Sequence, residues 1–322
     1  MSADNGQVPL LFIGNDHLVA GITTFGAALW DLRLTGHDRS LVLGFETVAD
    51  YLASRTYAGA VVGRVCNRLG NGRARLGVAT LEFDRNVPPY HLHGGATGFS
   101  QQRWHVIAQA SDGVTLGLES PDGHEGYPGN LSVEARYSVR GATLRLDFTA
   151  TTDAPTLVNL CHHAYFNLSR DETIEDHLLW LPAAEFLEVD ADLVPTGIIG
   201  SVDDMPLDFR TARRLRDAHG HAQVLNKTMI LARSPLPFLS HAATVVAERR
   251  MQLWTTQPAL HLYNGHRIPE GTPLRGGGLA GPRGGLCLEA QGWTDAPNHA
   301  GFPPIELLPQ EEYSHATEYR FY

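Results

Sequence analysis

Residues 131–150 read LSVEARYSVRGATLRLDFTA. Leu131, Val133, Ala135, Tyr137 and Val139 alternate with Ser, Glu, Arg and Ser. Beyond Arg140-Gly141, Leu144, Leu146, Phe148 and Ala150 alternate with Arg, Asp and Thr. A period of two places one set of side chains on one face of a strand, so each run predicts a half-buried antiparallel strand joined to the next by a turn. Upstream, Val114, Leu116 and Leu118 repeat the pattern and end at the turn Ser120-Pro121-Asp122-Gly123.

The same texture extends along the chain of 322 residues, where 33 glycines and 19 prolines punctuate short runs. Helical signals are confined to Thr47–Arg55, with Thr47 near its cap, and to Arg210–Ala218 (RTARRLRDA). No alternation of strand and helix suggests a parallel sheet, and no linker or fixed-period repeat divides the chain. The expectation is all-β: one large antiparallel β-sandwich domain over residues 1–322 with a few short helices.

Composition narrows the function. Apolar residues are 43% and charged residues 19%, enough for a packed core and too ordered a mixture for long disorder. Lys+Arg 25 against Asp+Glu 35 gives a net charge of −10, with no basic block, which speaks against nucleic acid and anionic membrane as partners. No basic leader with an apolar core and no long apolar run occurs, so a cytoplasmic protein is expected. Cys66, Cys161 and Cys287 are odd in number and widely spaced. They suggest neither a disulfide framework nor a zinc ribbon.

Gly276-Gly277-Gly278-Leu279-Ala280-Gly281 satisfies G-x-G-x-x-G, but Pro282 and two further glycines follow, so it reads as a loop and not as a dinucleotide cradle. The phosphate-loop lysine motif and the hydrolase nucleophile elbow do not occur. Histidine is more informative. His91 and His93 would share one face of a strand, as metal ligands can, or one would be functional and the other a polar neighbour. His162 and His163, being adjacent, would face opposite sides of a strand. Glu289 in GLCLEAQGW is a carboxylate within an apolar run, costly there unless paired. Two readings stand: a structural acid held by backbone amides, or one half of an acid/base pair with a histidine.

Eight segments then fall into a known order: GRVCNRLGNGRARL from Gly63, LHGGATGFSQQRW from Leu92, SPDGHEGYPGNL from Ser120, TLVNLCHHAYFNL from Thr156, LVPTG from Leu193, LDFR from Leu207, TQPALHLYNG from Thr256 and LCLEAQGWTDAPN from Leu286. In these segments the chain resembles the aldose 1-epimerases, or galactose mutarotases. The resemblance implies a galactose mutarotase-like supersandwich with a sugar cleft on one sheet. It implies Glu289 as general base, His163 as general acid, and His93, Asn67 and Arg68 as sugar-binding residues. It also implies an isomerase with no cofactor and no metal, acting on a free aldose such as galactose or glucose, as a monomer or homodimer. An aromatic such as Trp293 would stack on the sugar.

Two positions depart from the family pattern. Asn226 in LNKTMIL stands where an aspartate is usual, and His261 in PALHLY where a glutamine is usual. Both belong to the expected sugar-contacting set, so the acid and base persist while sugar preference comes into question. The competing expectations are a non-catalytic carbohydrate-binding sandwich, a metal enzyme using His91 and His93, and an epimerase for a modified or phosphorylated sugar.

Overall fold

The two runs quoted first form adjacent strands, Leu131–Arg140 and Thr143–Thr152, paired antiparallel from Leu131 opposite Thr152 to Arg140 opposite Thr143. They belong to a computed structural model that describes residues 10–54, 56–217, 219–275 and 278–322. Their alternation is realised: Leu144, Leu146, Phe148 and Ala150 are buried, and the residues between them are partly exposed.

These strands lie inside a nine-stranded sheet running in space from Arg213–Arg214 through Leu178–Trp180, Ser240–Val246, Arg250–Thr255, Tyr313–Phe321, Thr143–Thr152, Leu131–Arg140 and Gly113–Ser120 to His105–Ala110. A six-stranded sheet faces it, ordered Tyr165–Phe166, Leu286–Gln291, Ala259–Tyr263, Asn226–Ile230, Glu185–Val189, Pro195–Ser201. Strand pairing within both sheets is antiparallel. Leu144, Leu146 and Phe148 of the large sheet share one core with Leu260, Leu262, Leu286 and Leu288 of the smaller sheet. Two sheets facing across such a core are a sandwich, as the period-two pattern predicts. Burying each of these side chains is worth about 1.5–3 kcal/mol. A three-stranded sheet (Leu10–Gly14, Leu18–Thr23, Leu29–Leu34) adds Ile13, Leu18 and Ile22 to the same core.

The helix expected at Thr47–Arg55 forms over Val48–Ala53; Arg55 lies outside the described residues. Thr47 Oγ1 accepts from Asp50 N at 3.2 Å, and the Asp50 carboxylate accepts from Thr47 N at 2.9 Å, a reciprocal cap. The helix expected at Arg210–Ala218 does not form. Arg213–Arg214 instead pair as an edge strand with Leu178–Leu179, and Ala218 lies outside the described residues. Within this segment only Leu215 is a buried apolar side chain, so no apolar stripe exists for a helix to bury. Arg210 is tied back to Asp208 at 2.9 Å. In the glycine-rich segment, Gly276 and Gly277 lie outside the described residues, and Leu279–Ala280 pair with Thr272–Pro273. A strand follows where a dinucleotide cradle needs a helix. No helix among the described residues is long and apolar enough to cross a membrane.

Leu146 is fully buried between the sheets. Leu146→Ala should lower unfolding free energy by about 2–5 kcal/mol in a urea titration. A loss below about 1 kcal/mol would mean that the sheets do not pack through this position.

Candidate active site

The strand Leu286–Gln291 is buried at every position. Leu286, Leu288 and Ala290 enter the inter-sheet core, so alternation turns Cys287, Glu289 and Gln291 to the opposite face. On the neighbouring strand Leu260 and Leu262 face the core, and His261 and Tyr263 face away from it. His261 lies directly opposite Glu289 in the ladder, and Thr228 opposite His261. This outer face floors a pocket, and loops from the first third of the chain cover it.

Burial pushes the Glu289 carboxyl above the ordinary carboxylate range. His163, a bond from Cys161 and Arg68 act against that shift, each favouring the ionised form. The Cys161 thiol donates to Glu289 Oε2 at 3.4 Å. His163 Nε2 stands 3.6 Å from Glu289 Oε1, close enough for both groups to address one small molecule. His163 is placed by its backbone: its N–H donates to Ala60 O, and its carbonyl accepts from Gly59 N, both at 2.9 Å. Its neighbour His162 points the other way, with Nδ1 3.0 Å from the Tyr319 hydroxyl in the core. The opposite-face expectation for this pair holds.

Asn67 and His93 both adopt positive φ, 59° and 55°. They hold each other: His93 N donates to Asn67 O at 2.9 Å, and Asn67 N donates to His93 Nδ1 at 3.2 Å. Since Nδ1 accepts, Nε2 carries the proton of the neutral ring, and burial pushes the His93 pKa well below its usual value. His93 is therefore a neutral donor. The turn that carries it needs glycine at 94, where φ is +80° and a Cβ would sit 1.9 Å from Gly63 O. Asn67 Oδ1 accepts from Arg68 NH1 at 3.0 Å, and the Arg68 guanidinium lies 4.9 Å from the Tyr90 ring.

Asn67, Arg68, His93, His163, Asn226, His261 and Glu289 all line this one cleft. At about 140 Å³ it is smaller than the roughly 300–1,000 Å³ of drug-sized sites, a scale suited to one small molecule. His261 Nε2 is 3.0 Å from Asn226 Oδ1, and its Nδ1 is 2.9 Å from Thr228 Oγ1, so protein partners take both ring nitrogens.

Further residues line the cleft that sequence reasoning did not single out: Tyr57, Tyr165, Tyr263 and Arg267. Tyr165 and Tyr263 lie two residues beyond His163 and His261, and period two could have found them. Tyr57 has no such signal; it reaches the pocket from the loop after the helix, 4.5 Å from the His93 ring. Arg267 is, with Arg68, a second arginine lining the cleft.

Two expectations are corrected. Trp293 does not stack in the cleft: it is buried, donates Nε1 to Ala232 O at 3.1 Å and packs edge-on against Phe302. His91 and His93 do not share a face, because the strand ends at Leu92 and the left-handed turn at His93 breaks the alternation. His91 lies outside the cleft, with Nδ1 2.8 Å from Asp84 O and its ring against Phe83 and Tyr127. Among the described residues one set of metal-capable donors converges, His163, Cys287 and Glu289, within 4.8 Å of one another. The Cys287 Sγ lies 3.5 Å from His163 Nδ1. The other two are the paired acid and base candidates.

The sequence profile described as "Aldose 1-epimerase" matches residues 9–320. The chain is 34% identical to a galactose mutarotase of Mus musculus over 330 aligned positions, spanning all of this chain and 96% of that one. It is 31% identical to an aldose 1-epimerase of Escherichia coli (strain K12), spanning all of this chain and 97% of that one. Among solved structures, an aldose epimerase homologue from C. elegans superposes with a TM-score of 0.91 at 29% identity, covering 98% and 99% of the two chains. A galactose 1-epimerase from Lactobacillus acidophilus gives 0.85 at 27% identity, covering 100% and 96%.

The thiol bond to Glu289 carries a pH prediction. Cys161→Ala removes a donor that favours the carboxylate, so the Glu289 pKa should rise further. The acidic limb of kcat/KM should therefore lie at higher pH in the variant than in the wild type. An unmoved limb in a pH–rate profile would detach Cys161 from the base.

Proposed function

The chain belongs to the aldose 1-epimerase family and is an isomerase that interconverts the α and β anomers of an aldose, and for this activity we propose Glu289 as general base and His163 as general acid. The observation that carries the assignment is the 3.6 Å approach of His163 Nε2 to Glu289 Oε1 in a cleft that also presents Asn67, Arg68, His93 and Asn226.

Anomers interconvert when the cyclic hemiacetal opens, the C1–C2 bond turns and the ring closes on the other carbonyl face. Opening needs one proton taken from the C1 hydroxyl and one delivered to the ring oxygen. The Glu289 carboxylate takes the first, the C1–O bond to the ring oxygen breaks as the carbonyl forms, and His163 Nε2–H supplies the second. At that point Glu289 is protonated and His163 neutral. Closure runs the transfers backwards, so both groups regain their starting states. Nothing is oxidised, reduced or covalently retained, and the two protons balance within the site.

Burial serves this chemistry. Raising the pKa of Glu289 makes it a stronger base when ionised, while His163 and Cys161 act against that rise and favour the carboxylate. His93, Asn67 and Arg68 are proposed to orient ring hydroxyls. The substrate proposed is a free hexose such as galactose or glucose, in keeping with the names of the relatives. The acid, the base and the proposed sugar-binding residues all come from one chain. One domain over residues 1–322 is supported by the core shared between the sheets, and a cytoplasmic location by three unpaired, buried cysteines.

Glu289→Gln and His163→Asn should each lower kcat by about 10²–10⁴, read by polarimetry of freshly dissolved α-D-glucose or α-D-galactose, with unfolding midpoints near wild type. Near-normal turnover in the Gln variant would end the base assignment. Excess EDTA should leave the rate unchanged; loss on chelation with recovery on adding zinc would overturn the two-group mechanism.

A further inference from the structure

A line of hydrogen bonds runs beneath the pocket floor, with a group that can only accept at each end, the Gly292 carbonyl and the Asn226 amide oxygen. Gln291 is fully buried, and its Nε2 donates to the Gly292 carbonyl at 3.1 Å. A carbonyl only accepts, which fixes the orientation of the amide. The Gln291 Oε1 accepts from the Cys66 thiol at 3.4 Å, and the remaining Nε2 proton goes to Thr294 Oγ1 at 3.0 Å. Thr294 Oγ1 stands 2.8 Å from Thr228 Oγ1, and Thr228 Oγ1 stands 2.9 Å from His261 Nδ1; a hydroxyl can accept twice, so the direction of these two bonds is read from the other end of the line.

Burial holds the His261 ring neutral. Asn226 Oδ1, 3.0 Å from Nε2, can only accept, so the single ring proton resides on Nε2, Nδ1 accepts from Thr228, and Thr228 in turn accepts from Thr294. The amide oxygen of Asn226 is occupied, and its NH₂ is what the pocket meets. Two other lining groups are also donors: His93 presents Nε2–H, and Arg68 has no acceptor atom at all. The Arg68 Nε is buried and has no hydrogen-bond partner in the protein.

We infer that the relay Gln291–Thr294–Thr228–His261 makes Asn226, together with Arg68 and His93, a donor-only corner that selects the sugar by the lone pairs of one hydroxyl. Resting on the mutarotase reading, this assigns Thr228 and His261 as positioning residues and Asn226 as a specificity determinant. A hydroxyl bound in this corner accepts and has no proton to give there. A carboxylate at position 226 would demand the reverse, a proton from the sugar.

The test replaces hydroxyls by hydrogen, which neither donates nor accepts, or by fluorine, which only accepts. Anomer exchange is followed by NMR for glucose and galactose and for their 3-, 4- and 6-deoxy and fluoro analogues. Position 2 is left out because fluorine beside C1 alters ring opening itself. In the wild type, one deoxy analogue should lose about tenfold in kcat/KM, and the matching fluoro sugar should recover at least about threefold of that. In Asn226→Asp the same fluoro sugar should fall about tenfold below its parent. Thr228→Val should bring the fluoro-to-deoxy ratio towards one through KM, with parent kcat kept within about threefold, and Thr228→Ser should restore it. The ¹⁵N signals of His261 should report the Nε2–H tautomer in the wild type and a mixture in Thr228→Val.

Fluoro sugars no better than deoxy sugars at all three positions, with both parents turned over, would overturn the inference. An unmoved His261 tautomer in Thr228→Val would do the same. If the wild type turns over neither parent hexose, the activity reading falls instead, and the His261 tautomer in the two proteins still decides the relay.

Discussion

A β-sheet buried on both faces is the constraint from which the rest of this molecule follows. The strand Leu286–Gln291 gives Leu286, Leu288 and Ala290 to the sandwich core and Cys287, Glu289 and Gln291 to the other side, and that other side is covered as well. A carboxylate in such a place is strongly disfavoured without partners. Its partners arrive from elsewhere in the chain: the thiol of Cys161, the imidazole of His163 and the field of Arg68. The same burial that demands partners raises the basicity of Glu289, so the packing problem and the chemistry have one solution.

Covering that face falls to loops, and hydrogen bonds pin the residues that reach the cleft. Asn67 and His93 exchange bonds across two left-handed residues, and Gly94 lies against the Gly63 carbonyl. Neighbouring histidines divide their labour as a result. His162 and His91 settle into aromatic surroundings with one ring nitrogen bonded to protein, while His163 and His93 face the cleft. Burial pushes the His162 pKa down to about 3, which makes it a neutral structural group in the core.

Polar order below the floor matters as much as the groups on it. Thr228, Thr294 and Gln291 do not stand out in a reading for acids, bases and metal ligands. They form a line of bonds that runs from the Gly292 carbonyl to the Asn226 amide oxygen, an acceptor at either end. In a region of low dielectric such a line is rigid, because reversing one hydroxyl would leave another buried group unpaired. Asn226 and His261, the two departures from the family pattern, thus meet in one hydrogen bond.

Much of this was legible in the residues alone. Alternation at 131–150 determined the strands and their inward faces, since period two leaves no other way to bury Leu144, Leu146 and Phe148. Adjacency determined that His162 and His163 part company, and the apolar setting of Glu289 marked it as a carboxylate in need of a partner. Tertiary structure alone decided which partner. Glu289 and His163 are far apart in the chain and meet only because Tyr165–Phe166 pairs with the strand that carries Glu289. The same holds for the failures: His91 and His93 look like a ligand pair until φ at His93 turns left-handed, and Trp293 looks like a sugar platform until Ala232 O claims its indole N–H. Local pattern specifies which face of a strand a side chain occupies. What lies against that face depends on contacts between distant segments, and those exist only once the sheets have closed.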